Sequence, residues 1–419
     1  MNTNCLITML AMAIAARPSF AAEPATPDPD WNAVFTRTSG WTGGDVAGTV
    51  DLDDGRLLWL FGDTWIGNVV DGRHAPGSRM VNNTIAIQSL AGKPSELPLN
   101  SQMRFYWQGG SKDPVAWITP KLKQAAAGEK QSDPKASQGW YWPTGGGAVV
   151  PGPGGRPRLL IFLFHIGKQQ GKEGIWAFKS LGGTMATVDN IADPVEKWEV
   201  RQDDIPFAVG SDAATNSARK NARPREISWG VAAFRYRPAG DAGQEWLYTY
   251  GIRNEAPLNR QVILARVRID SPTRFDEWQF YAGKDKWSAA MEDIAPIAEH
   301  VTNELSVEHL LGTGQPTWIM VHSEPPFGRK IFVRTASRPE GPWSDPQAIY
   351  SVPEADRNPT YFAYAAKGHF DLSRPDELLI TYVVNSHDFG AMVKDASIYR
   401  PRFIRVPSNA FLPAEKVRP

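Results

Sequence analysis

Residues 58–63 read Leu58-Trp59-Leu60-Phe61-Gly62-Asp63, a short apolar run closed by a glycine and an acid. The same shape returns as Leu160-Ile161-Phe162-Leu163-Phe164-His165, as Trp246 to Arg253, as Trp318 to Ser323 and as Leu378 to Asn385. Runs of this length, rich in branched and aromatic residues and punctuated by Gly, Pro, Asn and Asp, are strand signals, and helical periodicity is scarce along the chain. Before each run comes a turn and another strand candidate, beginning near Asp45, Thr144, Glu226, Glu304 and Tyr361. After each comes a third, Thr84 to Gln88, Gly174 to Phe178, Val262 to Val267, Ile331 to Thr335 and Ser397 to Arg400. Several units add a fourth around Trp198, Trp278 or Trp343.

Five units of three or four antiparallel strands, with no spare domain, predict an all-β chain folded as a five-bladed β-propeller. Closing a ring removes the unpaired edges that an open stack would expose. A pair of β-sandwiches or a β-helix is the alternative, although a β-helix would have shorter and more regular repeats. Two polar stretches, Gln124 to Ser137 and Ser211 to Arg223, read as surface insertions.

Composition narrows the function. The 419 residues carry 45 basic and 45 acidic side chains, so the formal charge is zero and a nucleic-acid or anionic-membrane footprint is excluded as the main business. The apolar run Leu6 to Ala16 is too short to span a bilayer and is followed by Ser19-Phe20-Ala21, the pattern of a secretory signal over residues 1–22. Residues 23–35 read as a Pro-rich leader, and 36–419 as one catalytic domain. The single cysteine, Cys5, lies in the signal, so the mature chain has no disulfide and no thiol chemistry. An exported protein, periplasmic or extracellular and without a membrane span, is expected.

In a propeller the innermost strands all run the same way. Their starts, and the ends of the strands that follow them, therefore converge at one mouth. That places Asp45 with Asp63, Thr144 with His165, Glu226 with Arg253, Glu304 with Ser323 and Tyr361 with Asn385, and puts Asn82 and Asn83 on the same rim. The tryptophans Trp41, Trp65, Trp142 and Trp229 surround this acid-rich pocket. Asp45 and Asp63 face each other on paired strands, where two carboxyls stand roughly 5–7 Å apart. Glycosidic hydrolysis needs such a pair, one acid to protonate the leaving oxygen and one to attack carbon or activate water. Gly-Asp pairs are also common in plain turns. The mouth tryptophans are candidate sugar platforms, and Glu226, Glu304, Asn82, Asn83, His165, Arg253 and Asn385 candidate ligands for hydroxyls. A polysaccharide or oligosaccharide is the implied partner. A non-catalytic, glycan-binding propeller and a hydrolase of another sugar polymer are the competing readings.

Other chemistries lack their residues. The seven histidines hold no HExxH pair, no cysteine is available for zinc, and there is no GxSxG. Gly145-Gly146-Gly147 leads into a strand rather than a helix, which argues against a phosphate cradle. No cofactor is called for; a calcium ion in the channel stays open.

The run GWTGGDVAGTVDLDDGRLLWLFGDTWIG (40–67), followed by MVNNTIAIQS (80–89), resembles the five-bladed propeller endo-D-arabinanases of glycoside hydrolase family 183, once catalogued as a domain of unknown function. More distantly it resembles arabinanase and fructosidase propellers. The likeness continues through REISWG, NELSVEH, GPWSDPQAIY and ELLITYVVNS. It implies that Asp63 is the nucleophile and Asp45 the general acid/base of a retaining hydrolase, with D-arabinan as substrate. Val46-Ala47 stand where bulkier or polar neighbours are expected, which bears on substrate and on endo or exo mode.

Overall fold

The computed structural model describes residues 25–90, 103–121, 139–211, 225–239, 243–256, 259–310, 317–374 and 376–412. The signal segment, residues 124–137 and all of the second insertion after Ser211 lie outside them. Strand is the main element of the described chain, and its sheets are antiparallel. Five sheets follow one another as meanders. Sheet I is Gly48–Asp51, Arg56–Phe61, Thr84–Ser89 and Met103–Tyr106. Sheet II is Trp140–Pro151, Pro157–Lys168, Phe178–Val188 and Val200–Asp204. Sheet III opens with Ile227–Tyr236, Trp246–Ala256 and Asn259–Arg268 and ends in shorter strands. Sheet IV is Leu305–Leu310, Thr317–Ser323, Lys330–Ala336 and Gln347–Ser351. Sheet V is Tyr361–Gly368, Glu377–Ser386 and Pro401–Pro407, completed by Thr26–Pro27 from the start of the chain.

All five quoted apolar runs are the second strands of these sheets. Two of the expected third strands are displaced. In sheet II the run from Gly174 is the closing turn, with Ala177 N donating to Gly174 O, and the strand starts at Phe178. In sheet V the Ser397–Arg400 run is a turn capped by Asp395, and the strand starts at Pro401.

Because side chains alternate across a strand, each sheet offers one apolar face to each neighbour. Ile161 and Leu159 pack toward Leu58 and Leu60 of sheet I, while Leu160 and Phe162 pack toward Leu247 and Ile263 of sheet III. Tyr248, Tyr250 and Leu264 join sheet III to Trp318 and Met320 of sheet IV. Ile319 and Val321 join sheet IV to Ile380 and Tyr382 of sheet V. Leu379 and Phe403 return from sheet V to Trp59 and Phe61 of sheet I. Each buried side chain of this size contributes about 1.5–3 kcal/mol.

The segment expected to be a leader belongs to the fold from Thr26 onward. Asp28 caps the helix Pro29–Val34 by accepting from Trp31 N at 2.9 Å, and its other oxygen pairs with Arg405 at 2.6 Å. Trp31 stacks on Phe403 at 5.2 Å. Prolines that read as a linker here shape the entry to a helix.

The first strands of consecutive sheets lie side by side, and three of them break register at a bulge: Pro143/Gly147, Trp229/Ala232 and Tyr364/Lys367. Gly145-Gly146-Gly147 form the first of these. A side chain on Gly146 would overlap Gly230 O, and one on Gly145 would overlap the end of Lys367. The triple glycine exists so that backbones from different sheets can approach.

A candidate carboxylate pair and its surroundings

A sixth, small sheet explains how the two acids meet. Ser39–Gly44 pairs with Thr64–Val70, so Gly44 faces Thr64, and beyond the break Gly48 faces Leu60 in sheet I. The hairpin expected to end at the acids instead runs on past them, as one long ribbon interrupted in the middle. Asp45 and Asp63 sit at that interruption. Asp45 N donates to Asp63 O and Gly62 N to Asp45 O, both at 3.3 Å, which holds the two residues across from one another. Val46 and Ala47 take φ of 66° and 48° to turn the chain between the sheets. A β-branched residue in that region is strained, and such strain concentrates at functional sites. Gly62 must stay bare because a side chain there would overlap Asp45 Oδ1.

The two carboxyls have different neighbours. Asp63 Oδ1 accepts from Trp142 Nε1 at 2.7 Å and from Asn82 Nδ2 at 3.2 Å. Asp45 Oδ2 accepts from the hydroxyls of Tyr364 at 2.6 Å and Tyr399 at 2.9 Å. Asp45 Oδ1 is buried and has no hydrogen-bond partner among the described residues. Burial first, then the charge of Asp63, pushes Asp45 up to about 8, against the pull of its two tyrosines. Burial also lifts Asp63, to about 6, while Trp142 and Asn82 hold it down. One proton therefore resides preferentially on Asp45 near neutral pH, leaving Asp63 charged. Asp45 thus has an oxygen free to carry that proton.

A third acid stands close by. Glu304 is raised by burial and drawn back by Lys367 and Arg260, and its charge adds to the lift on Asp45. Lys367 Nζ is buried and donates to Leu305 O at 2.8 Å and Thr144 O at 3.3 Å, tying the inner strands of sheets II, IV and V together. Glu226 accepts from Asn254 Nδ2 at 3.2 Å and from Ser211 Oγ, and it also faces Arg260.

Of the residues expected at the mouth, Asn82, Trp142, Glu304 and Asn385 join the pair, the last by donating from Nδ2 to Tyr364 OH at 3.3 Å. Others do not. Asn83 is buried and holds the backbone of Ile118 and Tyr141 in place. Arg253 pairs with Glu255 at 2.9 Å and bonds Gln261, rather than meeting Glu226. Trp229 is 1% exposed in the core between sheets II and III and has no face to offer a sugar. Trp65 is buried and stacks on His74 at 4.4 Å, and Trp41 bonds Thr84 in the core. His165 packs against the ring of Tyr141 at 5.1 Å.

Sequence reasoning missed Tyr364, Tyr399, Lys367 and Arg260. It chose Tyr361 as the mouth residue of sheet V, whereas the bulge carries Tyr364 inward. A lone lysine inside the apolar run YFAYAAKG was the available signal for Lys367. Among the described residues, no group of three or more His, Cys, Asp or Glu is arranged to hold a metal ion.

Comparison with solved structures finds a candidate hydrolase of Bacteroides ovatus ATCC 8483, 18% identical, covering 94% of this chain and 93% of that one, with a TM-score of 0.64. That likeness is one of fold. A GH62 hydrolase in complex with xylotriose, 11% identical, covers 90% of this chain and 94% of its own, with a TM-score of 0.40. The α-L-arabinofuranosidase of Podospora anserina in complex with cellotriose, 10% identical, covers 88% and 92%, also at 0.40. No curated protein matches the chain. A family model does match, over residues 28–409, which includes the carboxylate pair and every strand but Thr26–Pro27: the chain belongs to the family described as a domain of unknown function, DUF5005.

Proposed function

We propose that this protein is an exported glycoside hydrolase built on a five-bladed β-propeller, cleaving furanosidic linkages by a retaining mechanism, with D-arabinan as the polymer and internal linkages as the target. The propeller reading rests on the five meanders packed each on the next and the fifth on the first.

The single observation that carries the chemistry is the unequal carboxylate pair. Asp63 attacks the anomeric carbon as the C–O bond to the leaving group breaks, and Asp45 gives its proton to the departing oxygen. Asp45, now charged, takes a proton from water, whose oxygen displaces Asp63 and frees the sugar with its original configuration. Tyr364 and Tyr399 orient the acid; Trp142 and Asn82 keep the nucleophile ionised. Glu304 and Asn82 hold sugar hydroxyls in this reading.

The test is incubation with D-arabinan, L-arabinan, galactan and fructan, reading products and their first-formed anomer by NMR. Asp63→Asn should abolish cleavage while leaving the fold intact. Turnover unchanged in Asp63→Asn removes the mechanism, and a first-formed inverted anomer removes retention.

A further inference from the structure

An aromatic wall outside the carboxylate pair was not foreseen from the sequence. Trp176, in the turn closing the second hairpin of sheet II, is 43% exposed. Its ring lies 5.1 Å from Phe327, which is 36% exposed in the hairpin turn of sheet IV. It also lies 6.4 Å from Phe362 of sheet V and 6.1 Å from His387, just past that sheet's second strand. The turn thus reaches past its own sheet to two others.

The wall is continuous with the site at both ends. Phe178 lies 6.3 Å from Trp176 and 4.9 Å from Trp142, whose indole holds Asp63. Phe362 lies 5.6 Å from Tyr364, whose hydroxyl holds Asp45. An aromatic chain therefore runs from one carboxyl's partner to the other's, and its middle is what solvent sees. An exposed aromatic surface matches a sugar ring, which has apolar C–H faces. The exposed rings are rigid and lose little entropy when covered.

We infer that Trp176 and Phe327 form a sugar-stacking subsite next to the cleavage point, taking a second furanose ring of the chain. This rests on the glycosidase reading for its ligand, though not for the wall itself. It makes the preferred substrate an oligomer rather than a single glycoside.

The probe is a linear D-arabinofuranosyl tetrasaccharide, titrated by calorimetry against Asp63→Asn so that binding is read without turnover. Adding Trp176→Ala should weaken binding roughly tenfold, and Trp176→Phe should recover most of it. In the active chain, Trp176→Ala should raise KM for the tetrasaccharide by a similar factor with kcat within about twofold, a split that a misfolded site would not give. Unchanged binding in Trp176→Ala and Phe327→Ala, with the wild type still cleaving arabinan, overturns the subsite and spares the hydrolase. Tryptophan-dependent binding without any cleavage supports the subsite and sinks the hydrolase. If Trp176→Ala instead converts a dimer to a monomer in sedimentation with sugar binding unaltered, the wall is a contact between copies and the inference fails.

Discussion

The hydroxyl of Tyr364 donates to Asp45 Oδ2 at 2.6 Å, joining residues 319 positions apart. Tyr399 binds the same oxygen at 2.9 Å, so both donors spend themselves on one side of the carboxyl and leave Oδ1 for a proton. Asp63 is held from the opposite side of the chain by Trp142. The proposed acid and nucleophile thus have separate regulators, and each regulator should move its own limb of the pH profile.

Catalysis in this scheme needs Asp63 ionised and Asp45 protonated, which gives a bell between the two ionisations, about 6 and about 8. Trp142→Phe removes a bond that favours the charged form of Asp63, so the acid limb of kcat/KM should move to higher pH. Tyr364→Phe removes a bond that favours the charged form of Asp45, so the alkaline limb should move to higher pH instead. Shifts of about 0.5–1 unit are expected. Both variants moving the same limb would contradict the assignment of roles.

Stability should trade against this arrangement. Asp45 ionises at higher pH when folded than when unfolded, so the folded state holds its proton longer. Its contribution is complete below about pH 4 and is lost as pH rises through about 8. Asp45→Asn cannot ionise. Its melting temperature should therefore gain on the wild type between pH 5 and pH 9, measured by calorimetry at both values.

Gly62→Ala tests the geometry. The added methyl overlaps Asp45 Oδ1 and crowds Val46 Cγ2, at 3.1 Å, and must displace the acid. Displacement of about 1 Å can cost roughly a hundredfold in rate. We expect kcat to fall by that order with the circular dichroism spectrum unchanged.

Lys367→Met takes the Nζ donor from the carbonyls of Thr144 and Leu305 and removes the cation that most draws Glu304 down. Removing one member of a buried ionic group should destabilise the chain by about 2–4 kcal/mol. Adding Glu304→Gln should recover part of that loss. Denaturant unfolding of the two single variants and the double variant measures the coupling.

The strands and the aspartate pair were legible because both are local. A buried strand needs several consecutive apolar residues and a turn at each end, and residues 18 apart on one hairpin meet through that hairpin alone. Thus LWLFGD and its four counterparts located the second strand of each of the five meanders, and GGD with FGD located the two acids. Their partners were not legible. Tyr364 comes from sheet V, Tyr399 from the turn before its third strand and Trp142 from sheet II, and a sequence does not say which side chains the packing of several sheets brings within 3 Å. Nor did residue type separate Trp142, at the site, from Trp229, in the core, since both are tryptophans at the start of an inner strand. The local bulge and the packing of the neighbouring sheet made that choice. The raised ionisation of Asp45 comes first from burial, which only the assembled sheets create, and then from the charge of Asp63, its partner on the same hairpin.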